Sequence, residues 1–396
     1  MVLFLHNRYR TTGGEERVVQ DLLWLVREHL GEDAQLLARD SATLGRRAAA
    51  AGLLRGGLEP ADVARAVRLS GARVVHAHNL HPAFGWRALA AAREEGARVV
   101  LHLHQYRLVC AIGVCFTRGA ECTRCHGRDT LPGVRLNCRG SLPESLAYAT
   151  SLALWQRRLV GQADTIIVPS AFAVERLREL GAPLPADRVQ VLAPPVRTAG
   201  APASPPAPGA SSVSRAPAGS SPPPRSGAYA LVVSRLSPEK GVDVAIDACR
   251  AAGVPLVIAG DGPEREALRE RAGGSDVRFL GRVDDAELAV LRAGASIALS
   301  PSRSAETFGL AAAEAMAAGL PVAASRVGAL PELLGEEGLV PADDAQALSG
   351  AIARLAGDRA VGGRNLERVR AVCAPEIVAR GLSRAYGARD AVLPRT

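Results

Sequence analysis

The sequence predicts an α/β protein made of two doubly wound, Rossmann-like domains facing each other across a cleft. Three observations predict it. Short apolar runs alternate with amphipathic stretches along nearly the whole chain. Those runs are rich in Val, Ile and Leu with no polar alternation, the pattern of parallel strands buried on both faces beneath helices. A segment dominated by Pro, Ala, Ser and Gly, Thr198–Gly227, divides the pattern into two similar halves.

The first half begins with a strand over Val2–His6 and continues with strands over Gln35–Arg39, Arg73–His78, Arg98–Leu103, Thr165–Pro169 and Arg188–Leu192. Helical patterns over Glu15–Leu30, Pro60–Leu69, Pro82–Glu95, Leu142–Leu159 and Ala171–Leu180 lie between most of them. The second half repeats the scheme, with strands over Ala230–Ser234, Pro255–Ala259, Val277–Leu280, Ser296–Ser300, Pro321–Ala324 and Gly338–Val340. Repeated βαβ units of this kind build doubly wound domains, whose ligands bind outside the carboxyl ends of the strands. The expected division is an N-terminal domain over 1–197, a linker over 198–227 and a C-terminal domain over 228–396, with the last helix packing back on the N-terminal domain. The linker has too little apolar surface to fold and too much Pro for helix or sheet, so disorder with some polyproline character is expected there.

Composition sets broad limits. A chain of 396 residues that is 48% hydrophobic supports two full cores. Aromatics make up only 4%, so those cores rest on Leu, Val and Ala. The net charge of +8 suits an acidic substrate, an anionic membrane face or a nucleic acid, yet no run of like charges selects among them. The apolar run Val2–Leu5 is too short for a signal-peptide core, and no stretch approaches about 18 consecutive apolar residues, so no membrane span is expected. The expected location is the cytoplasm, with peripheral membrane contact left open.

The most informative stretch is Ser302–Pro321, SRSAETFGLAAAEAMAAGLP. Glu306 lies in the loop after a buried strand, and Glu314 follows eight positions later inside an Ala-rich helix. Phe308, Gly309 and Leu310 form the turn where that helix opens. A helix start offers unpaired N–H groups and a positive dipole end, which favour an anion. Glu314 sits about 7 Å further along the helix at about 1.5 Å per residue. A phosphate at the helix end flanked by hydroxyl-rich groups fits this layout, and that describes a nucleotide sugar. In SRLSPEKG, Arg235 leaves the first strand of the second half and Lys240 follows near a helix start. Two cations beside a helix N-terminus are unfavourable unless an anion is present. The alternative is a pair of exposed charges.

Other motifs are weaker alone. AGDGP, Ala259–Pro263, is a strand-to-helix turn whose glycines permit close approach, either of a ligand or of the chain itself. Gly13 and Gly14, in TTGGEE, have the same two readings. His102 and His104 share a face by period-two spacing, with His6, His76, His78 and His81 near other strand ends. Cys110, Cys122, Cys125 and Cys138 give C-x11-C-x2-C-x12-C in a Gly- and Arg-rich segment, adequate for a structural zinc. Cys115 and His126 are spare candidates, and reduced thiols packed under a loop are the alternative. Cys249 and Cys373 read as small core residues.

Together these residues resemble the retaining glycosyltransferases of family 4, which have the GT-B fold. The resemblance spans nearly the whole chain and is strongest in SRLSPEKG, AGDGP, VRFLGRV, ETFGLAAAE and AAGLPVAASRVGALPEL. HNRYR–GGEE, VVHAHN and LHQYRLVC, leading into a Cys-rich insert over 105–140, are similar to a bacterial subgroup. The resemblance implies a hexosyltransferase that moves a sugar from a nucleotide diphosphate sugar to an acceptor hydroxyl with retention. It implies that Arg235 and Lys240 bind the diphosphate, Glu314 the ribose, and Glu306 and His104 the transferred sugar region. The backbone of Phe308, Gly309 and Leu310 would meet sugar and phosphate, Gly13 and Gly14 would form the N-terminal glycine loop, and Arg282 and Val283 would border the base. The subgroup usually has an apolar residue where this chain has Cys115, which favours the other four cysteines as ligands. No cofactor is implied for catalysis, and no nucleic acid partner. The acceptor, whether saccharide, lipid-linked saccharide or natural product, is left open. The rival readings are a nucleotide-sugar epimerase or hydrolase on the same frame, and a zinc-knuckle binding module without catalysis. The linker is long for the family, and LAPPV before it lacks the Asn often found there.

Overall fold

A computed structural model describes residues 1–9, 13–197 and 229–387. The expected linker therefore lies outside the described residues, as do Thr11 and Thr12 of the first glycine turn. The chain forms two compact units. The first comprises Met1–Thr117, Cys122–Pro195 and the chain from Pro375 onward; the second comprises Val196–Ala374 with Arg118–Glu121.

The first unit is built on six strands: β1 (Val2–Arg8), β2 (Ala34–Asp40), β3 (Val74–Ala77), β4 (Arg98–His102), β5 (Thr165–Val168) and β6 (Val189–Val191). They form one parallel sheet in the order β2-β1-β3-β4-β5-β6. Val2, Leu3, Phe4 and Leu5 are all buried, which accounts for the absence of alternation in that run. The helix Gly14–Leu30 buries Val18, Val19, Leu22, Leu23, Leu25 and Val26, a 3.6-residue stripe. The helix Arg46–Arg55 falls outside the helical patterns read from the sequence. Its buried residues are only Gly52 and Leu53, so RRAAAAGLLR carries no apolar stripe to betray it.

The last described helix, Pro375–Ala385, completes this unit rather than the one that precedes it in sequence. Gln190 Nε2 donates to the Gly381 carbonyl (2.8 Å), Arg98 Nε to the Ala385 carbonyl (2.8 Å) and Thr165 Oγ1 to the same carbonyl (3.3 Å). Tyr386, just beyond the helix, is buried with its hydroxyl 2.8 Å from His76 Nδ1.

The second unit carries β7 (Ala230–Val233), β8 (Leu256–Ala259), β9 (Val277–Gly281), β10 (Ile297–Ser300), β11 (Val322–Ser325) and β12 (Leu339–Val340). All are parallel, in the order β9-β8-β7-β10-β11-β12. In register, Leu231 opposes Val257 on one side and Ala298 on the other. The core is aliphatic, with Val232, Ile246, Ile258, Leu299, Ile352 and Leu355 among its members. Cys249 lies in it, and Cys373 is buried too, as expected of small core residues.

Each sheet has one point where the order of strands reverses direction: between β1 and β3 in the first unit, and between β7 and β10 in the second. Loops leaving the carboxyl ends of two such strands diverge and open a crevice, the usual ligand position in open α/β sheets. The second unit's crevice lies between the loop after β7, which carries Arg235 and Lys240, and the loop after β10, which carries Glu306.

The AGDGP turn has a structural cause. A Cβ on Gly262 would lie 2.2 Å from the Leu236 carbonyl oxygen, so the glycine admits the chain's own backbone rather than a ligand. Gly262→Ala should destabilise the second unit by roughly 2–3 kcal/mol, because a backbone neighbour cannot rotate away. Urea denaturation would measure this, and a change within about 0.5 kcal/mol would contradict it.

Candidate active site

In the second unit the site grows from a turn after β7. Pro238–Lys240 forms a single turn of 3-10 helix, and the helix Val242–Ala252 starts after it. Arg303, from the loop after β10, fastens the two loops together. Its backbone N–H donates to the Glu239 carbonyl (2.8 Å), its Nη1 to the Pro238 carbonyl (3.0 Å), and Nη1 and Nη2 to the two oxygens of Asp243 (2.8 and 2.7 Å). A bidentate pair of this kind fixes direction as well as distance. The Asp243 hydrogen bonds hold the Arg303 guanidinium well above its usual range, against the effect of burial.

That clamp delivers Lys240 to Glu306. Lys240 Nζ lies 2.6 Å from Glu306 Oε1, and Ser302 Oγ donates to the same oxygen at 2.6 Å. Burial alone would raise the Glu306 carboxyl, but the Lys240 ammonium and the Ser302 hydroxyl outweigh it and hold the carboxyl below its ordinary value. Burial likewise acts to lower Lys240, and Glu306 reverses the sign, so the ammonium is held above its ordinary value. Two cations beside a helix N-terminus call for an anion. The structure amends this: the chain supplies one of its own to Lys240, while Arg235 remains exposed.

Glu306 is also held through its backbone. Its carbonyl accepts from the Ala329 N–H (2.8 Å). Gly328, at φ 60°, packs so closely that a Cβ there would lie 2.2 Å from the Glu306 nitrogen. The SRVGALPEL segment after β11 thus has a definite task, seating the loop that carries Glu306. Sequence reasoning gave Gly328 no role; a Gly three residues past a buried strand was the available signal.

The helix Leu310–Ala317 follows, with Gly309 at its N-cap, and Phe308 is buried. Glu314 lies inside it and receives a hydrogen bond from Arg292 Nη2, on the helix Asp285–Gly294; the two side chains are each 10% exposed. Arg292 is a further residue that the sequence reading missed. It fixes one Glu314 oxygen from a neighbouring helix. Arg282 and Val283 follow β9, the edge strand, two strands away from β7.

In the first unit, the crevice-side strand ends carry histidines. His104 Nε2 lies 2.8 Å from His78 Nδ1, and its ring stacks on His102 with centroids 4.2 Å apart. Burial pushes His76 and His81 down to about 3 and pushes His78, His102 and His104 below the ordinary histidine value, so these rings are neutral at pH 7. A cavity is lined by His78, His104, Gln105, Arg107, Tyr9 and Glu15, among others. Within it Tyr9 Oη donates to Glu15 Oε2 (2.7 Å) and Gln105 Nε2 donates to Tyr9 Oη (2.8 Å). Gly13 caps the helix Gly14–Leu30, and its N–H donates to Glu16 Oε2 (2.8 Å). Its backbone is extended, and a Cβ would meet only the Glu16 carboxylate at 3.6 Å.

Comparisons with known proteins bear on the family and the fold. Residues 8–195 match the family described as glycosyl transferase 4-like domain, and residues 227–358 match glycosyl transferases group 1. The chain belongs to the family 4 glycosyltransferases. A phosphatidyl-myo-inositol mannosyltransferase of Mycobacterium leprae is 43% identical over 143 residues, which is 33% of this chain and 38% of that protein. A GDP-mannose-dependent phosphatidylinositol dimannoside mannosyltransferase of Mycobacterium tuberculosis is 47% identical over 106 residues, 25% of this chain and 28% of that one. The matched segments thus span well under half of these relatives. Among solved structures, sucrose-phosphate synthase from Thermosynechococcus elongatus superposes with a TM-score of 0.64 at 19% identity, covering 98% of each chain. Anabaena HepE, solved with UDP and glucose, gives 0.61 at 18%, covering 98% of this chain and 99% of that one. These superpositions show the GT-B fold.

In this family member the insert's five cysteines, Cys110, Cys115, Cys122, Cys125 and Cys138, line one cavity, and all are free thiols. Among the described residues, no three of their sulfurs lie within 4.8 Å of one another. A hydrogen bond from Cys115 draws the Cys110 thiol down to about 6, and burial raises Cys125 to about 11. Also among the described residues, no helix is long and apolar enough to cross a membrane.

The ion pair has a pH signature. A carboxylate whose folded value is depressed contributes stability above its unfolded value, near 4, and loses it as pH falls through the folded value. Wild type should therefore exceed Glu306→Gln in stability at pH 7, and the gap should shrink between about pH 5 and pH 3. A gap that stays constant over that range, by urea denaturation, would contradict the pairing.

Proposed function

We propose that this protein transfers a hexose from a nucleotide diphosphate sugar to an acceptor hydroxyl, with retention at the anomeric carbon. The observation that carries the reading is the Lys240–Glu306–Ser302 cluster, fastened at the strand-order reversal of the second unit beside the start of the helix Leu310–Ala317. Lys240, exposed Arg235 and the N–H groups at that helix start would take the charge that builds on the leaving diphosphate. Lys240 would share its ammonium between phosphate and Glu306, so that both oxygen systems are oriented by one fixed cation. Glu306 would bind sugar hydroxyls, the backbone of Phe308–Leu310 would meet sugar and phosphate, and Glu314, steadied by Arg292, would bind the ribose. Arg282 and Val283 would border the base.

Attack from the leaving-group face, with the departing phosphate accepting the acceptor's proton, gives retention without a covalent intermediate and without a catalytic metal. His104, neutral and held by His78, would help position the reacting sugar, and Gly13 and Gly14 would form the N-terminal glycine loop. The mannosyltransferase relatives make GDP-mannose the first donor to try, and the nucleotide in the HepE structure makes UDP-glucose the second. The mannosyltransferase names likewise favour a lipid-linked acceptor over a free saccharide or small natural product. Such an acceptor would place the protein at the cytoplasmic membrane face.

Incubation with a panel of nucleotide sugars, following nucleotide release with and without acceptors, tests the reading. Acceptor-dependent release is expected, and release independent of any acceptor would instead indicate a hydrolase. Lys240→Ala and Arg235→Ala should each lower kcat by roughly 10²–10³-fold, more than they weaken donor binding. Full activity in both variants would refute the diphosphate assignment.

We also assign a structural zinc to Cys110, Cys122, Cys125 and Cys138. Four thiolate donors around one cavity, in a segment with little regular structure, fit such an ion once the side chains turn inward. Elemental analysis should find one equivalent more zinc in wild type than in Cys122→Ser. Equal zinc in the two, with both folded, would remove the assignment.

A further inference from the structure

We propose that His76, His78 and His102 form a second metal site, one that takes a single first-row divalent ion of the zinc class. His76 lies on β3, His78 follows it and His102 ends β4, so two neighbouring strands present the three rings together. One ring nitrogen from each lies within 4.8 Å of the others. The three residues are 0%, 3% and 2% exposed.

Five features of the cluster point to an ion rather than to a core of packed rings. Nε2 of His78 is buried without a hydrogen-bond partner, a cost that coordination relieves. The contact between His76 Nε2 and His102 Nδ1, at 3.3 Å, is long for a hydrogen bond. It matches the spacing of about 3.3 Å between two nitrogens held at about 2.0–2.1 Å by one tetrahedral ion. The outer partners are in place as well: Tyr386 Oη holds His76 Nδ1 at 2.8 Å, and His104 Nε2 holds His78 Nδ1 at 2.8 Å, leaving Nε2 of each ring as the donor. Metal-bound histidines are commonly fixed through the second ring nitrogen in this way. Phe4 walls the cluster, with ring centroids 5.0 Å from His76 and 5.6 Å from His78. The cavity lined by His78, His102 and His104 gives an ion a route in. Three imidazoles select zinc, cobalt, nickel or copper over magnesium or calcium. Bound there, the ion would hold two strand ends together and fix His78 under His104.

The test uses the full chain, stripped with chelator and titrated with Co²⁺. Wild type should show d–d absorption from an all-nitrogen site. That signal should persist in Cys122→Ser/Cys125→Ser without any thiolate charge-transfer band, and should disappear in His102→Val. Tyr386→Phe keeps all three ligands and should weaken Co²⁺ binding by about 10–100-fold. Circular dichroism reports folding of each variant. Cobalt uptake that is the same in folded His102→Val as in wild type would overturn the proposal. So would a folded wild-type chain whose only cobalt bands are those of thiolate ligation, the cluster then being a hydrogen-bonded imidazole array. Neither result bears on donor turnover, and a failed donor panel would leave the metal count unchanged.

Discussion

The site in the second unit depends on one constraint, the Arg303 clamp that ties the loop after β10 to the turn after β7. Both loops leave carboxyl ends of strands that are hydrogen-bonded neighbours, yet the reversal of strand order sends them apart. Nothing in the sheet itself would bring Lys240 to Glu306. Arg303 does so by bonding Pro238, Glu239 and Asp243 at once. Gly328 and Ala329 press on the other side of the same loop. An ion pair of two flexible side chains contributes little when each must be ordered for the purpose. Here the ordering is done by backbone contacts beforehand, and a charged pair so placed is preorganised for an anion.

Much of the fold was legible because the strands lack alternation. Runs such as Val2–Leu5 and Leu256–Ala259 are buried on both faces, and only parallel sheets covered by helices ask for that. The helix Arg46–Arg55 escaped notice for the converse reason, having almost no buried face. Individual site residues were legible as charges near strand ends, but their partnerships were not. Lys240 and Glu306 stand 66 positions apart, and Arg292 and Glu314 stand 22 apart on different helices. Periodicity reports neighbours on one element; it carries no information on which loops meet.

The histidines illustrate the same boundary. Period-two spacing put His102 and His104 on one face, although β4 ends at His102. That His76 and His78 join them follows from the pairing of β3 with β4, which strand order alone decides. AGDGP shows the opposite case, a motif whose glycine at 262 was as consistent with a ligand as with chain packing until the Leu236 carbonyl was located beside it. Glycine in a loop signals that something comes close, and the sequence does not say what.

The contribution of Pro375–Ala385 to the first unit bears on how the protein is made. A nascent chain that has emerged through residue 197 carries every strand of the first sheet, but not the helix that bonds Arg98, Thr165 and Gln190, nor the tyrosine that holds His76. Translation must run through the whole second unit before those groups find their partners. The first unit therefore waits, unfinished, while the second is synthesised. Vectorial folding, in which each domain is sealed before the next emerges, is closed to this chain, and a helix made after the second unit completes the first.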